Sequence, residues 1–172
     1  MRKSNYKILS IIPGAKHLGI AIFEDINLQD WFIKVFINKS IDEKIKLITS
    51  FITQLIEKHE ISILAIKIIH PSRSSPNLSK IISAIRVIGK KSHVTISEFT
   101  ITEMKQLLGK ELQIDSMKNK KILMEEVVTL YPFLFGEADK EKMHKNKYYT
   151  RMFEAVALGV VCYGTLNENE TG

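Results

Sequence analysis

Cysteine is nearly absent: Cys162 stands alone in 172 residues, so no internal disulfide can form, which fits a reducing compartment. In an apolar stretch it is expected in the core. No apolar run approaches the ~20 residues that a membrane-crossing helix needs. The basic start Met1-Arg2-Lys3 leads into a strand without a small-residue cleavage signal, so no membrane association and a cytoplasmic location are expected. Also missing are a phosphate-binding glycine loop and a serine or cysteine placed with a histidine to act as a nucleophile. His17, His70 and His144 stand singly, without metal-ligand spacing, and read as ordinary surface or strand-end residues. There is no internal repeat and no second compositional regime. One domain over 1–166, with a flexible tail over 167–172, is therefore expected.

The hydrophobic content of 45% and charged content of 26% are ordinary for a globular protein. A formal charge of +6 and an isoelectric point near 9.3 make a polyanionic partner reasonable without specifying one. The stretch from Tyr6 to Phe23 is the most informative. Two apolar runs flank Pro13-Gly14, which reads as a β-hairpin. Ile8, Leu9, Ile11 and Ile12 are too continuously apolar for a strand with one wet face, so a sheet covered on both sides is expected. Gly14 is expected to supply a positive φ in the turn, and Gly19 to let the returning strand pass close to whatever packs over it.

A third strand is expected over Leu28 to Phe36. Ser40 and Glu43 form a capping box for a helix to about Lys58, with Ile41, Ile45, Ile48, Ile52, Leu55 and Ile56 on one face. Ile61 to Ile69 reads as a second buried strand, and strand-helix-strand at this length predicts a parallel pairing through a crossover. Asn77 is expected to cap a helix that ends at Gly89, followed by a strand over Val94 to Phe99. A brief helix from Thr100 or Thr102 through Leu108, ended by Gly109, precedes a helix capped by Ser116 and stopped by Pro132. Residues 136–150 are polar and read as a mobile loop before a last helix from about Arg151 to Leu166.

The order β-β-β-α-β-α-β-α-α-α is that of the ribonuclease H-like fold, an α/β class with a central five-stranded mixed sheet, three antiparallel strands then parallel ones, flanked by helices. Three stretches carry a narrower resemblance. Ile8 to Phe23 resembles the opening of RuvC-type Holliday-junction resolvases, in which an apolar strand is followed by Asp, a small residue or Pro, and Gly. Ile63 to Ile69 resembles the second catalytic strand of that family, which carries a Glu. Arg151 to Gly159 resembles its last helix, where an acidic residue precedes an alanine-rich run. The similarity spans about Tyr6 to Tyr163.

The resemblance implies metal-dependent cleavage of crossover junctions in DNA recombination and repair, by a symmetric dimer. Two magnesium ions would be held by several converging carboxylates, because hard cations need oxygen ligands. It places those acids on Ile12, on Lys67, on about Arg151 or Thr150, and on Glu154. Only Glu154 is acidic, as Glu in place of the usual Asp. No catalytic residue and no metal ligand set is therefore assigned, and no cofactor is expected, with magnesium implied only if an active site persists elsewhere. Asp25, Asp30 and Glu98 lie near strand ends but at no matching position. Ile12 reads as core. Lys67 reads either as a side chain snorkelling from the sheet edge or as the partner of Glu154 or of a phosphate, and the two should be close if the fold holds.

Candidate binding residues are better preserved than catalytic ones. Lys140, Lys142, Lys145, Lys147 and Arg151, interleaved with Tyr148 and Tyr149, could follow a phosphate backbone while a ring stacks on an unpaired base, or could simply be a solvated lysine-rich loop. Arg73, in the loop Ser72 to Ser75, is a second phosphate-contact candidate near Lys67. Three functions remain open. The chain is a catalytically degenerate protein that binds structured nucleic acid, DNA foremost; or an active, divergent endonuclease with a relocated metal site; or a structural adaptor with a fixed protein partner.

Overall fold

The first strand is apolar on both faces because both faces are covered. In the computed structural model, which describes residues 5–37, 39–111, 120–134, 136 and 147–171, β1 (Lys7–Ile12) is the middle strand of a sheet ordered β3-β2-β1-β4-β5. β2 (His17–Glu24) returns antiparallel, with Ile12 opposite Gly19, and β3 (Asn27–Val35) is antiparallel to β2. β4 (Ile63–Lys67) runs parallel to β1, with Ile11 opposite Ile66, and β5 (Thr95–Phe99) runs parallel to β4. The mixed sheet expected from the sequence is the one observed.

Alternation along β1 divides the interior in two. Leu9 and Ile11 join Ile48, Ile52, Ile81 and Ile85 beneath α1 (Ile41–Lys58) and α2 (Pro76–Lys91). Ile8 and Ile12 join Phe23, Met104, Val127, Phe153 and Ala157 beneath α3 (Ile101–Glu111), α4 (Lys120–Leu130) and α5 (Lys147–Thr171). No helix among the described residues is long and apolar enough to cross a membrane.

Helix starts follow capping chemistry. The Ser40 hydroxyl accepts the Glu43 N–H at 3.2 Å, as expected. At α2 the cap is Ser75 rather than Asn77, because Pro76 at the first helical position loses no hydrogen bond there. Thr100 and Glu103 satisfy each other's N–H groups ahead of α3, so Thr100 is the start. Helix ends differ more. Gly89 lies inside α2, which runs on to Lys91; a Cβ there would crowd Ile96 and Leu64, so this glycine serves close packing on the sheet rather than termination. Likewise α3 passes Gly109 to reach Glu111, and α5 starts at Lys147 and continues past Leu166 to Thr171, through the stretch expected as a tail. Ser116 and residues 137–146, the larger part of the expected mobile loop, lie outside the described residues.

α5 sets the geometry of the whole second layer, because it lies directly on β1 and β2. A Cβ at Gly19 would strike the backbone carbonyl of Arg151, and one at Gly159 would strike the ring of Phe23. The fully buried Ser10 hydroxyl donates to the Ala155 carbonyl at 2.6 Å, tying the middle strand to the same helix. Gly14 corrects an expectation. No glycine among the described residues has positive φ. The space a side chain would take at Gly14 is instead filled by the Arg151 guanidinium.

On the other side, Arg86 of α2 grips Glu98 of β5 through two N–H···O bonds of 2.6 and 2.9 Å. That hydrogen-bonded fork, set against the opposing effect of burial, holds the Glu98 carboxyl below its usual 4.5. Its contribution is complete above pH 4.5 and fades as pH falls through the lowered value. Two measurements follow. In acid titrations of stability, Arg86→Gln should flatten the acid limb, and an unchanged limb would show that the fork is idle. In urea melts, Gly19→Ala should cost more than about 2 kcal/mol, since the opposing atom is backbone and cannot rotate away, whereas Gly136→Ala, with nothing within 4 Å of the added carbon, should stay within about 0.5 kcal/mol.

Candidate functional site

Parallel pairing brings the carboxyl ends of β1 and β4 to one edge of the sheet, where Ile12 and Lys67 end their strands side by side, one step beyond the Ile11–Ile66 pair. The contact at Gly19 lowers α5 onto this edge, so that Arg151 and Glu154, one turn apart, arrive on the same face. Together these elements enclose a cleft of about 250 Å³ lined by Ile12, Pro13, Gly14, Lys67, Arg151 and Glu154, among others.

At its base the Lys67 ammonium donates to the Glu154 carboxylate at 2.6 Å. The side chains are 17% and 4% exposed. Of the two readings of Lys67, the snorkelling one therefore gives way to the ion pair. A carboxylate this deep with no cation would cost several kcal/mol. Ile12, 2% exposed, packs into the layer beneath α3 to α5, as a core residue should.

Arg151 is held differently. One guanidinium nitrogen, Nη1, donates to the Pro13 carbonyl at 3.1 Å, and the group fills the space above Gly14. Two residues of β1's turn thus form its seat. Nearby, burial foremost, and then the positive charges of Arg151 and Lys16, push the His17 imidazole below its usual 6.5. Thr150, also buried, lines the same cleft.

This donor set does not suit a pair of divalent cations. Mg²⁺ requires near-octahedral oxygen ligation, and the positions where the resemblance puts acids offer one carboxylate already bound to an ammonium, a guanidinium and an isoleucine. Among the described residues no group of three or more His, Cys, Asp or Glu side chains gathers elsewhere to hold an ion. The acids weighed as substitutes are dispersed. Asp25 accepts the Tyr6 N–H, Asp30 accepts the Trp31 N–H, and Glu98 is engaged with Arg86.

Of the nucleic-acid candidates, Lys67 and Arg151 share the cleft. Arg73 is exposed in the 3₁₀ turn Pro71–Arg73 and does not line it, and that turn is stiffened by a 2.7 Å contact between His70 Nδ1 and the Ser72 hydroxyl. The backbone of Lys147, Tyr148 and Tyr149 forms the first turn of α5, leading into Arg151. Lys140, Lys142 and Lys145 lie outside the described residues, as does His144. Sequence reasoning missed the seat of Arg151 on Pro13 and Gly14. Gly19 was legible as the mark of a close approach, whereas Gly14 looked like an ordinary turn residue and gave no sign of the arginine that fills its space.

No protein-family model and no curated protein matches the sequence. Solved structures do match. RuvC of T. thermophilus in complex with a Holliday junction substrate is 13% identical with a TM-score of 0.71, covering 95% of this chain and 96% of that one. T. thermophilus RuvC by itself is 12% identical at the same TM-score. The yeast mitochondrial Holliday junction resolvase Ydc2 is 10% identical, TM-score 0.59, with 96% of this chain and 83% of that chain covered. At these identities the likeness is one of fold, and it spans nearly the whole of this chain.

The ion pair can be tested by unfolding. Lys67→Met should destabilise the protein by about 3 kcal/mol, the cost of orphaning a buried carboxylate, while the double variant Lys67→Met, Glu154→Met should recover most of the loss. A double variant as unstable as the single one would show that Glu154 is held mainly by other groups.

Proposed function

We propose that this chain, whose fold is that of the RuvC-type Holliday-junction resolvases, binds structured nucleic acid without cutting it by two-metal chemistry. Branched DNA is the first candidate, since the T. thermophilus protein of this fold was solved with a Holliday junction substrate. The observation that carries the reading is the Lys67–Glu154 ion pair of 2.6 Å at the strand ends, where hydrolysis would call for converging carboxylates. A tethered ammonium in that place repels a metal ion and attracts a phosphate.

The charge distribution supports the same reading. A net charge of +6 favours a polyanion. In sequence, the basic and aromatic run Lys140, Lys142, Lys145, Lys147, Tyr148 and Tyr149 precedes Arg151, a composition that offers cations for a phosphate backbone and rings for an unpaired base. Arg73 supplies a further phosphate contact from the loop after β4. In this reading a single domain, with the last helix running on to Thr171, works as a homodimer, because a four-way junction presents paired arms to a two-fold symmetric protein.

The test is a salt titration with chelator present, using a four-way junction, duplex and single strand. Junction binding should be tightest, and log K should fall against log salt with a slope of about −0.9 for each duplex phosphate neutralised. No binding to any DNA or RNA would sink the proposal and leave a protein-docking role. Junction nicking that needs Mg²⁺ or Mn²⁺ and disappears in Glu154→Gln would sink it in the other direction, towards an active nuclease.

A further inference from the structure

We infer that the cleft at the ends of β1 and β4 is a metal-independent seat for a single phosphate oxyanion, held by the Arg151 guanidinium and the Lys67 ammonium. This deepens the nucleic-acid reading above by naming the group that enters the site. It is tested with small phosphate probes rather than with a junction or duplex, so that either can fail alone.

Among the described residues the charges lining the cleft do not balance. Lys67 and Arg151 contribute two positive charges and Glu154 one negative charge. Arg151 is half-buried, and among the described residues its hydrogen bonding is limited to the neutral Pro13 carbonyl at 3.1 Å. A guanidinium carries five N–H groups in a rigid fork that matches the oxygens of a phosphate. Taking one partly out of water beside a carbonyl leaves most of that donor capacity, and the full charge, without a counter-ion among the described residues. The Arg86 guanidinium across the sheet shows the contrasting case, since both arms of its fork rest on Glu98.

The seat is also built rather than incidental. Glycine at position 14 leaves the space that the guanidinium occupies, and the Gly19 contact fixes the Arg151 backbone against β2. The ammonium is likewise fixed, because Glu154 anchors it 2.6 Å away at the base of the cleft. Two cations are thus preorganised on rigid elements around an open volume of about 250 Å³. Such preorganisation lowers the entropic cost of binding a small anion. Glu154 has two opposed effects here. It positions Lys67 and weakens the field that an entering anion feels.

This gives the site a signature opposite to that of a metal centre. Removing the carboxylate from a metal site destroys ligand binding, whereas removing it here strengthens binding. The probes are inorganic phosphate and a thymidine dinucleotide with one internal phosphodiester. Each is titrated in chelator at constant ionic strength against chloride, with melting temperature and the arginine side-chain ¹⁵N resonances as readouts. The wild-type protein should gain melting temperature in phosphate, with one shifted arginine signal. Glu154→Gln should tighten binding by roughly tenfold, because the one negative charge among the described cleft residues no longer repels the entering anion. Arg151→Gln should abolish the response, and Arg151→Lys, which keeps the charge without the fork and guards against a mere folding defect, should retain a weakened one. A response to the dinucleotide identifies a nucleic-acid backbone as the source of the phosphate, and a response to inorganic phosphate alone identifies a free phosphate species. Absence of any response, a response unaltered in Arg151→Gln, or weaker binding in Glu154→Gln overturns the inference. DNA binding that persists in that event leaves the proposed function standing without this seat.

Discussion

Contact between α5 and the β1–β2 hairpin at Gly19 is the constraint on which the arrangement of the site depends. With no Cβ at that position, the Arg151 carbonyl can sit against strand backbone. The helix then lies low enough for Glu154 to reach the end of β4 and for Phe153, Ala157 and Val161 to seal the layer beneath it. Gly159 against Phe23 and the Ser10 hydroxyl on the Ala155 carbonyl hold the same approach further along the helix. Close packing of this kind yields little to small displacements. The positions of the charged groups at the strand ends are therefore inherited from apolar packing along the whole helix.

An ion pair placed by such a scaffold differs in purpose from one that holds a scaffold together. Burying two charges is expensive, and their attraction recovers the cost only with good geometry and further hydrogen bonds. A hydrophobic pair would serve stability as well in a layer already rich in isoleucine, valine and phenylalanine. Lys67 and Glu154 nonetheless pair at the base of a cleft, beside a guanidinium without an acidic partner among the described residues.

Fold and site were legible in the sequence to different degrees, for physical reasons. Apolar runs of Ile and Leu bounded by Pro13-Gly14 and by His70-Pro71 revealed the strands, because burial on both faces forces continuous hydrophobicity. The 3.6-residue spacing of Ile41 to Ile56 revealed α1 in the same way. The proximity of Lys67 and Glu154 followed once the order of elements was read as a ribonuclease H-like sheet. Glycines were harder. Gly89 and Gly109 look like helix stops but sit inside helices, and Gly14 looks like a turn residue with positive φ but has none. In each case a local propensity gave way to a tertiary contact, and nothing local in a sequence tells a glycine required by its own backbone from one required by a neighbour. The seat of Arg151 was hidden for the same reason.

One consequence concerns Gly14. The residue has no side chain, no charge and no unusual backbone, yet the present seat of Arg151 depends on it, because an added Cβ would meet the guanidinium and the His17 carbonyl. The electrostatic character of the site is thereby controlled sterically. A side chain at this position would press the guanidinium out of its present seat without altering any ionisable residue. In this cleft, therefore, a count of charged residues is an incomplete guide to where the charge lies, and a small residue on the rim carries part of that information.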